Sequence, residues 1–290
     1  MTIQCHRIGK RDPALRHQFC DFVQSVFKGA NFHLWAAHGG WSEDYDVWVV
    51  IEEGRIVSGV GVMRMDLIVH GRPQTGWQIG AVATAPAWRG KGLSRCLLET
   101  VLAHLDALGE APVFLFANSS VLDFYPRFGF RRVIQQQYRA TTDVVPQPGQ
   151  AVALDIANAA HRDYLEQLYR RARPLDSVFS AVSYYSAAIF HLLHHPRQCL
   201  HLPQHDLVAI LRQEGDHLHL DDIVSAAPVD LRAILPLIAA APVRSLEFGF
   251  RPTDLWGEDT IAFEDTEMFF LRGAPEIQER DLHFPTLAHT

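Results

Sequence analysis

The residues that point most directly to chemistry form a basic, glycine-containing turn, Arg89-Gly90-Lys91-Gly92. The turn follows a strand-like run that ends near Thr84, and an amphipathic helix pattern begins directly after it, at Leu93. Glycines let several backbone N–H groups converge without a side chain in the way, and the start of a helix carries the positive end of its dipole. The turn is therefore predicted to cradle an anion with several oxygens, such as a phosphate.

The surrounding pattern predicts the elements that position this turn. Apolar residues recur at helical spacing from Leu93 to Leu108, and Gly109 follows as a cap, which predicts one helix packed on a sheet. Before the turn, three apolar runs joined by short turns predict an antiparallel meander over 47–51, 56–69 and 77–84. An α+β order is completed by a helix at 12–28, strands at 113–117 and 133–138, and a helix around Tyr125.

A second cluster follows the strand predicted at 113–117. Asn118 is followed after six residues by Tyr125, and after three more by Gly129-Phe130. Together with the glycine turn, this spacing resembles the GNAT superfamily of acetyl-CoA-dependent N-acetyltransferases. The family motif Arg/Gln-x-x-Gly-x-Gly/Ala falls on Arg89, Gly92 and Ser94, where Ser94 replaces the usual glycine or alanine. The run 124–130 most closely resembles the lineage of the enhanced intracellular survival acetyltransferases.

This resemblance implies a GNAT fold, a mixed and mainly antiparallel sheet flanked by helices, with acetyl-CoA as the cofactor. In that family the last meander strand binds the pantetheine arm and the thioester oxygen, and the glycine turn binds the pyrophosphate. The matching cofactor-binding residues are Val82, Ala83, Thr84, Arg89, Gly90, Lys91, Gly92, Leu93, Ser94 and Asn118. Tyr125 matches the family's proton donor to the coenzyme A sulfur; the alternative is a core tyrosine with a structural hydroxyl.

The segment after the first helix is predicted to form a wall of the acceptor pocket. It carries the aromatic residues Phe32, Trp35, Trp41 and Tyr45 beside the acidic residues Glu43, Asp44 and Asp46. Aromatic faces and carboxylates together attract a cation, the form in which an amine arrives. The predicted substrate-binding residues are therefore Trp35, Trp41, Glu43 and Asp44. The alternative is that the aromatic residues are core and the acids are a solvated edge.

The general base is left open by the sequence. Many GNAT enzymes carry a carboxylate on the strand that leads into the cradle, whereas this strand has Trp77 and Gln78. The candidates are a water chain, His33, His38, Glu43 and Asp44.

The predicted function is transfer of an acetyl group from acetyl-CoA to a primary amine, by direct attack with Tyr125 as general acid. A cationic small molecule is the expected acceptor. The alternatives are a non-catalytic acetyl-CoA-binding sensor or scaffold, and an acetyltransferase of protein amines.

The second half of the chain faintly repeats the order of the first. We predict an acetyl-CoA-binding GNAT domain at 1–142, a linker at 143–150, and a degenerate GNAT-like domain with a C-terminal tail at 151–290. Where the first half has its glycine turn, the second has Ala226–Asp230, with no glycine and no cation. Asp230 is predicted to cap the following helix with its own carboxylate, so this half should bind no acetyl-CoA and should instead close the acceptor pocket.

Composition and residue spacing argue against several other classes of protein and site. A net charge of −7 argues against a nucleic-acid partner, and no apolar run is long enough to span a membrane, so a cytoplasmic location is expected. The four cysteines show no paired spacing and are expected to be reduced, with Cys96 explained by packing. No metal is expected. His191 and His195 would share a helix face, and His217 and His219 one face of a strand, but Pro196 breaks the helix and no carboxylate or second thiol completes a tetrahedral ligand set at a familiar spacing. The oligomeric state is not predicted.

Overall fold

The computed structural model describes residues 3–147, 149, 151–278, 280 and 282–290. Its first part contains six strands and three helices, which include the predicted helix at 12–28, the meander, the helix from Leu93 and the strand at 113–117. The strands are β1 (Cys5–Ile8), β2 (Tyr45–Glu52), β3 (Arg55–Val69), β4 (Arg72–Thr84), β5 (Val113–Ala117) and β6 (Arg131–Arg132). The helices are α1 (Pro13–Val26), α2 (Phe32–Ala37) and α3 (Leu93–Leu108).

The later part contains nine further strands and four helices among the described residues. The strands are β7 (Gln136–Val144), β8 (Val152–Leu154), β9 (Phe179–Val182), β10 (Gln198–Leu202), β11 (Leu207–Glu214), β12 (His217–Ser225), β13 (Val243–Phe248), β14 (Ile261–Glu264) and β15 (Met268–Arg272). The helices are α4 (Ala159–Arg171), α5 (Tyr185–His194), α6 (Leu231–Ile238) and α7 (Thr253–Trp256). Strands β11 and β12 pair as an antiparallel hairpin, and the helix predicted to follow Asp230 is confirmed as α6.

The strands form two sheets, which confirms the α+β class. The first has the order β1-β2-β3-β4-β5-β15-β6, with β9 paired to β3, and the second has the order β14-β7-β13-β12-β11-β10-β8. Sheet membership therefore crosses the predicted domain ranges. The late strands β9 and β15 belong to the first sheet, and β7 belongs to the second.

A bulge in β4 shapes the centre of the first sheet. Gly61 pairs with Gly80 and Gly59 with Ala83, so β4 carries one more residue than β3 between these pairs. Ala81 accommodates the extra residue with a φ of 49°, in the left-handed region that residues with a Cβ rarely adopt. Beyond Ile79, the backbone of β4 therefore departs from the regular hydrogen-bonding pattern of the sheet.

The strand β4 also loses its neighbour at the same point. Its parallel pairing with β5 covers Trp77–Ile79 against Val113–Leu115, and the described pairing ends there. From Gly80 to Thr84, the backbone groups on that side of β4 face the gap between the two strands. Unpaired N–H and C=O groups at a sheet edge are a template for another extended chain.

Helices cover both faces of the first sheet. Adjacent residues on a strand point to opposite faces, and Val62 and Met63 on β3 lie in different buried clusters. Val62 clusters with the apolar stripe of α3, whereas Met63 clusters with Phe19 and Val23 of α1. Burying one such side chain fully stabilises the fold by about 1.5–3 kcal/mol, so the amphipathic pattern of α3 fixes which side of the helix meets the sheet.

Three predicted elements differ in the structure. The helix around Tyr125 is instead a pair of short 3₁₀ turns, Ser119–Val121 and Tyr125–Phe128, because Pro126 lacks an N–H and Gly129 ends the second turn at a φ of 83°. The strand predicted at 133–138 starts later, as β7. This strand continues through Val144 into the predicted linker, of which Pro148 and Gln150 lie outside the described residues.

The second half lacks a cradle at the matching place. Asp230 caps α6 by accepting a hydrogen bond from the Arg232 N–H at 3.0 Å, as predicted. A carboxylate at this position satisfies the helix start and repels a second anion. Within the described residues, no helix is both long enough and apolar enough to cross a membrane.

Candidate active site

A cavity of about 820 Å³ opens where β4 separates from β5. One end is lined by the bulged stretch of β4 together with Arg89, Ser94, Asn118 and Tyr125. The other end is lined by residues from α1, α2 and α5. Its volume lies in the range of about 300–1,000 Å³ that is typical of small-molecule sites.

The predicted cradle stands at the start of α3. Gly90 and Gly92 have φ values of 76° and 78°, and a Cβ added to either would meet no atom within 4 Å. Gly92 is the N-cap of α3 and no side chain caps it, so the first N–H groups of the helix keep their hydrogen-bonding capacity. The open space, the left-handed glycines and the uncapped helix start together fit a bound phosphate.

Two cations flank the cradle. Arg89 donates a hydrogen bond from Nε to the Thr84 carbonyl at 3.2 Å, and it lines the cavity. The Lys91 ammonium lies over the Trp88 ring, 4.0 Å from its centroid. Both side chains are thus held beside the helix start, where they add positive charge to the dipole.

The hydroxyl of Ser94 has a specific role in the structure. Ser58 donates to the Ala83 carbonyl at 2.9 Å and also lies 2.7 Å from the Thr84 hydroxyl, which lies 2.6 Å from Ser94. Because a hydroxyl has one proton, Ser58 must accept from Thr84, and Thr84 from Ser94. Ser94 therefore uses its proton to brace the bulged strand, and its oxygen can act toward a ligand only as an acceptor.

Tyr125 lines the cavity together with the bulged stretch of β4. It is 5% exposed, and its ring packs against Phe124, Phe130 and Phe270, with centroid distances of 5.3, 6.1 and 5.7 Å. Burial raises the pKa of its hydroxyl to about 12. The described residues supply that hydroxyl with no hydrogen bond, so it is available to a molecule in the cavity.

The far end of the cavity is aromatic. Phe32, Trp35, Tyr45 and Phe190 line it, together with Ser186. The Trp35 Nε1–H donates to the Ser186 carbonyl at 2.7 Å, and the Phe32 and Phe190 rings meet edge to face at 5.7 Å. Helix α5, from the second half of the chain, therefore forms one wall of the pocket.

The other predicted acceptor residues lie outside this cavity lining. Trp41 is 2% exposed and packs in the core, with its Nε1–H bonded to the Tyr45 carbonyl. Glu43 is exposed and 3.7 Å from Lys10, and Asp44 is exposed and 3.4 Å from Arg64. For these three residues the structure favours the alternative of core aromatics and a solvated acidic edge.

The predicted side-chain bases also lie elsewhere. His33 bonds to Asp21 at 2.7 Å, and the Nδ1 of His38 lies 2.8 Å from the Leu34 carbonyl oxygen. Among the described residues that line the cavity, none has a histidine, aspartate or glutamate side chain.

Three features of the site are missed by the sequence reasoning. The sequence predicts that the second half closes the pocket, but α5 carries no motif, so only the packing shows that this helix forms the wall. Gln78, buried on β4, donates to the Ala288 carbonyl at 3.0 Å and anchors the last segment of the chain. Thr290 from that segment lines the cavity, and a Cβ at Gly80 would come within 2.9 Å of its Oγ1. The sequence signal for these contacts is Gln78, a glutamine within an apolar strand, because a buried amide needs a hydrogen-bond partner.

Comparison with known proteins agrees with this geometry. Residues 11–133 match the family model described as an acetyltransferase (GNAT) domain, whereas no curated protein sequence matches the chain. A conserved protein of unknown function from Enterococcus faecalis V583, called a probable N-acyltransferase, has a TM-score of 0.64 at 15% identity. That alignment covers 94% of this chain and 73% of the other.

Two further solved structures share the architecture. Eis1 from Mycobacterium abscessus has a TM-score of 0.59 at 16% identity, over 93% of this chain and 73% of the other. A GCN5-related N-acetyltransferase from Kribbella flavida has a TM-score of 0.57 at 17% identity, over 94% and 71%. The predicted GNAT fold is confirmed, and the likeness to Eis1 agrees, at the level of fold, with the resemblance to the enhanced intracellular survival lineage. The family match of residues 11–133, together with the shared architecture, supports an acyltransferase of the GNAT type.

Proposed function

We propose that this chain transfers an acetyl group from acetyl-CoA to the primary amine of a small, cationic molecule. One observation carries the proposal. A single cavity connects the bulged edge of β4 and Arg89, beside the cradle, to the Tyr125 hydroxyl and to an aromatic end. A thioester and an amine could therefore meet in one enclosed space.

The residues present fit acetyl-CoA. The uncapped start of α3, with Arg89 and Lys91 beside it, suits a pyrophosphate, and no Cβ occupies the space at Gly90 or Gly92. The edge of β4 from Val82 to Thr84, which has no strand partner on the β5 side, suits an extended pantetheine arm. When bound, acetyl-CoA would supply an activated acetyl group. A backbone N–H of the β4 edge would then stabilise the charge that develops on the thioester oxygen.

Tyr125 is proposed as the hydrogen-bond donor to the departing sulfur. Its pKa of about 12 keeps the hydroxyl protonated throughout the physiological pH range. The same raised pKa makes the phenol a weak acid. As the C–N bond forms and the C–S bond breaks, the sulfur would take the phenol proton, and the proton lost by the attacking nitrogen would return to the phenolate through water in the cavity. Its fixed ring position, packed against three phenylalanines, keeps the donor aimed without rearrangement.

The aromatic end is proposed to receive the amine. Ring faces attract an ammonium ion, each by about 0.5–2 kcal/mol, and Phe32, Trp35, Tyr45 and Phe190 line this end. The carboxylates of Glu43 and Asp44 are paired on the surface and take no part in the proposal. Because the described lining residues offer no side-chain base, we propose that water in the cavity removes the ammonium proton.

The second half is proposed to close the acceptor end and to bind no acetyl-CoA of its own. Ser186, Ala187 and Phe190 of α5 line the cavity, and Asp230 already fills the helix start that would match the cradle. This leaves a proposed GNAT domain over 1–142 and a degenerate partner over 151–290, with strands exchanged between their sheets. One acetyl-CoA site per chain follows.

Thiol release from acetyl-CoA with a panel of amines tests the proposal. We expect amine-dependent release, and calorimetry should find one acetyl-CoA site per chain. Binding without release for any small amine or lysine-containing peptide would favour a sensor or scaffold. Release with peptides alone would favour a protein acetyltransferase.

Paired variants test the acceptor assignment. Phe190→Ala should raise the acceptor KM by roughly tenfold, since it removes one ring face and opens the pocket. The double variant Glu43→Gln/Asp44→Asn should leave the acceptor KM unchanged. A raised KM in the double variant with none in Phe190→Ala would place the acceptor elsewhere.

A further inference from the structure

Three potential metal ligands lie on one face of the second sheet. His217 and His219 alternate along β12 with Leu218 and Leu220, which are buried in the core, so both histidines point to the opposite face. The neighbouring parallel strand β13 places Glu247 directly beside His219 in the register. The carboxylate that the sequence could not supply at a familiar spacing thus comes from another strand.

The distances suit a small ion. One ring nitrogen of each histidine and one Glu247 oxygen lie within 4.8 Å of one another. The Nδ1 of His219 is 3.5 Å from Oε1 of Glu247, and the two imidazole rings are 4.3 Å apart. In a tetrahedral zinc site with bonds of about 2.0–2.1 Å, neighbouring ligand atoms are roughly 3.3 Å apart. Small side-chain rotations would bring the three atoms to that spacing.

Neighbouring charges leave the ligand atoms available. Arg139 donates to the other Glu247 oxygen, Oε2, at 2.7 Å, and its guanidinium is held over the Phe263 ring. Oε1 is therefore the oxygen on the His219 side. Arg212, the register partner of His219 on β11, points its Nε at Asp221, 3.3 Å away, and not at Glu247.

We propose that His217, His219 and Glu247 bind a zinc ion, with water completing its coordination. Two imidazoles and one carboxylate suit Zn²⁺ better than Ca²⁺ or Mg²⁺, which prefer oxygen ligands. The ion would tie β12 to β13 near the start of their parallel pairing, which runs from His217 and Ser245 to Leu220 and Phe248. Its role would be to stabilise the second sheet, apart from the acetyl-transfer cavity.

Calorimetry on the full chain, stripped with a chelator and titrated with ZnCl₂, tests the site. We expect a site of micromolar or tighter affinity and a melting temperature that rises by several degrees with zinc. The isosteric variant Glu247→Gln should weaken binding by roughly tenfold to 100-fold, and His217→Asn/His219→Gln should abolish it. Co²⁺ in place of Zn²⁺ should give visible absorption bands in the wild type that the double variant lacks.

A second cluster provides the matched control. His17, Asp21 and His33 also place their ligand atoms within 4.8 Å of one another, but His17 and Asp21 are exposed. His17→Gln/His33→Gln should therefore leave the tight site intact. Zinc binding that survives in His217→Asn/His219→Gln with its circular dichroism unchanged would overturn the proposal. So would loss of binding in the control, or no binding by the wild type at 100 µM zinc, a concentration roughly 100-fold above a micromolar Kd.

Discussion

Replacing Tyr125 by phenylalanine separates its proposed chemistry from its packing. The ring is 5% exposed and contacts three phenylalanines. The substitution keeps the ring and therefore these contacts. The hydroxyl has no hydrogen bond to a described residue, so its removal leaves no protein group unsatisfied. We therefore expect the free energy of unfolding to change by less than about 1 kcal/mol. The affinity for coenzyme A should also be unchanged.

The catalytic effect of Tyr125→Phe should be much larger. Loss of a positioned proton donor lowers turnover by roughly 100-fold, which is about 2.7 kcal/mol of activation free energy. The assay is the initial rate of thiol release at saturating acetyl-CoA and amine, beside urea unfolding of the same preparation. Because the pKa of Tyr125 is about 12, the wild-type rate should show no loss from its ionisation up to about pH 10. An unchanged kcat would refute the assignment, and a large loss of stability would make the hydroxyl structural.

Two further predictions concern the cradle and the pH dependence of stability. Gly92→Asp should abolish acetyl-CoA binding in calorimetry, because it puts a negative charge at the start of α3. Gly215→Asp, at a similarly left-handed and uncrowded glycine of the β11–β12 turn, should bind normally, and equal losses in both would point to backbone strain instead. His283 is buried, which lowers its pKa to about 4, against about 6.5 in the unfolded chain. At this site the unfolded state thus binds one more proton between these values, so the contribution of His283 to stability falls as the pH drops from about 6.5 to 4, by up to about 1.4 kcal/mol per pH unit. His283→Gln should remove that contribution from the slope in urea unfolding series, and an unaltered slope would show that this histidine titrates normally.

Local patterns predict the first half well. The spacing of Leu93 to Leu108 fixes α3, and the three apolar runs fix the meander, because both depend on periodicity within one segment. The glycines of the cradle are readable for the same reason, since their backbone conformation is a local property. Tyr125 is found from its resemblance to a family motif, and the structure places it in the cavity.

Pairings between distant segments are what the sequence cannot provide. Cys5 on β1 and Cys96 on α3 show no paired spacing, yet their sulfurs are 4.0 Å apart in the fold. Glu43 and Asp44 match the composition expected of a pocket wall, but each has a surface cation as its partner. In both cases the residue that makes the contact is far away along the sequence. Helical or strand periodicity within one segment therefore cannot reveal it.

The strand exchange explains why the second half matters to a cavity whose recognisable motifs all lie in the first. Strand β15 lies between β5 and β6, and its Phe270 packs on the Tyr125 ring, so part of the support for the proposed proton donor comes from late in the chain. Helix α5 lines the aromatic end through Ser186 and Phe190. A half without a cradle at the matching place can therefore still be required for the geometry of the other. Because β5 pairs with β15, residues 1–142 alone would leave one edge of β5 unpaired beside the proposed site.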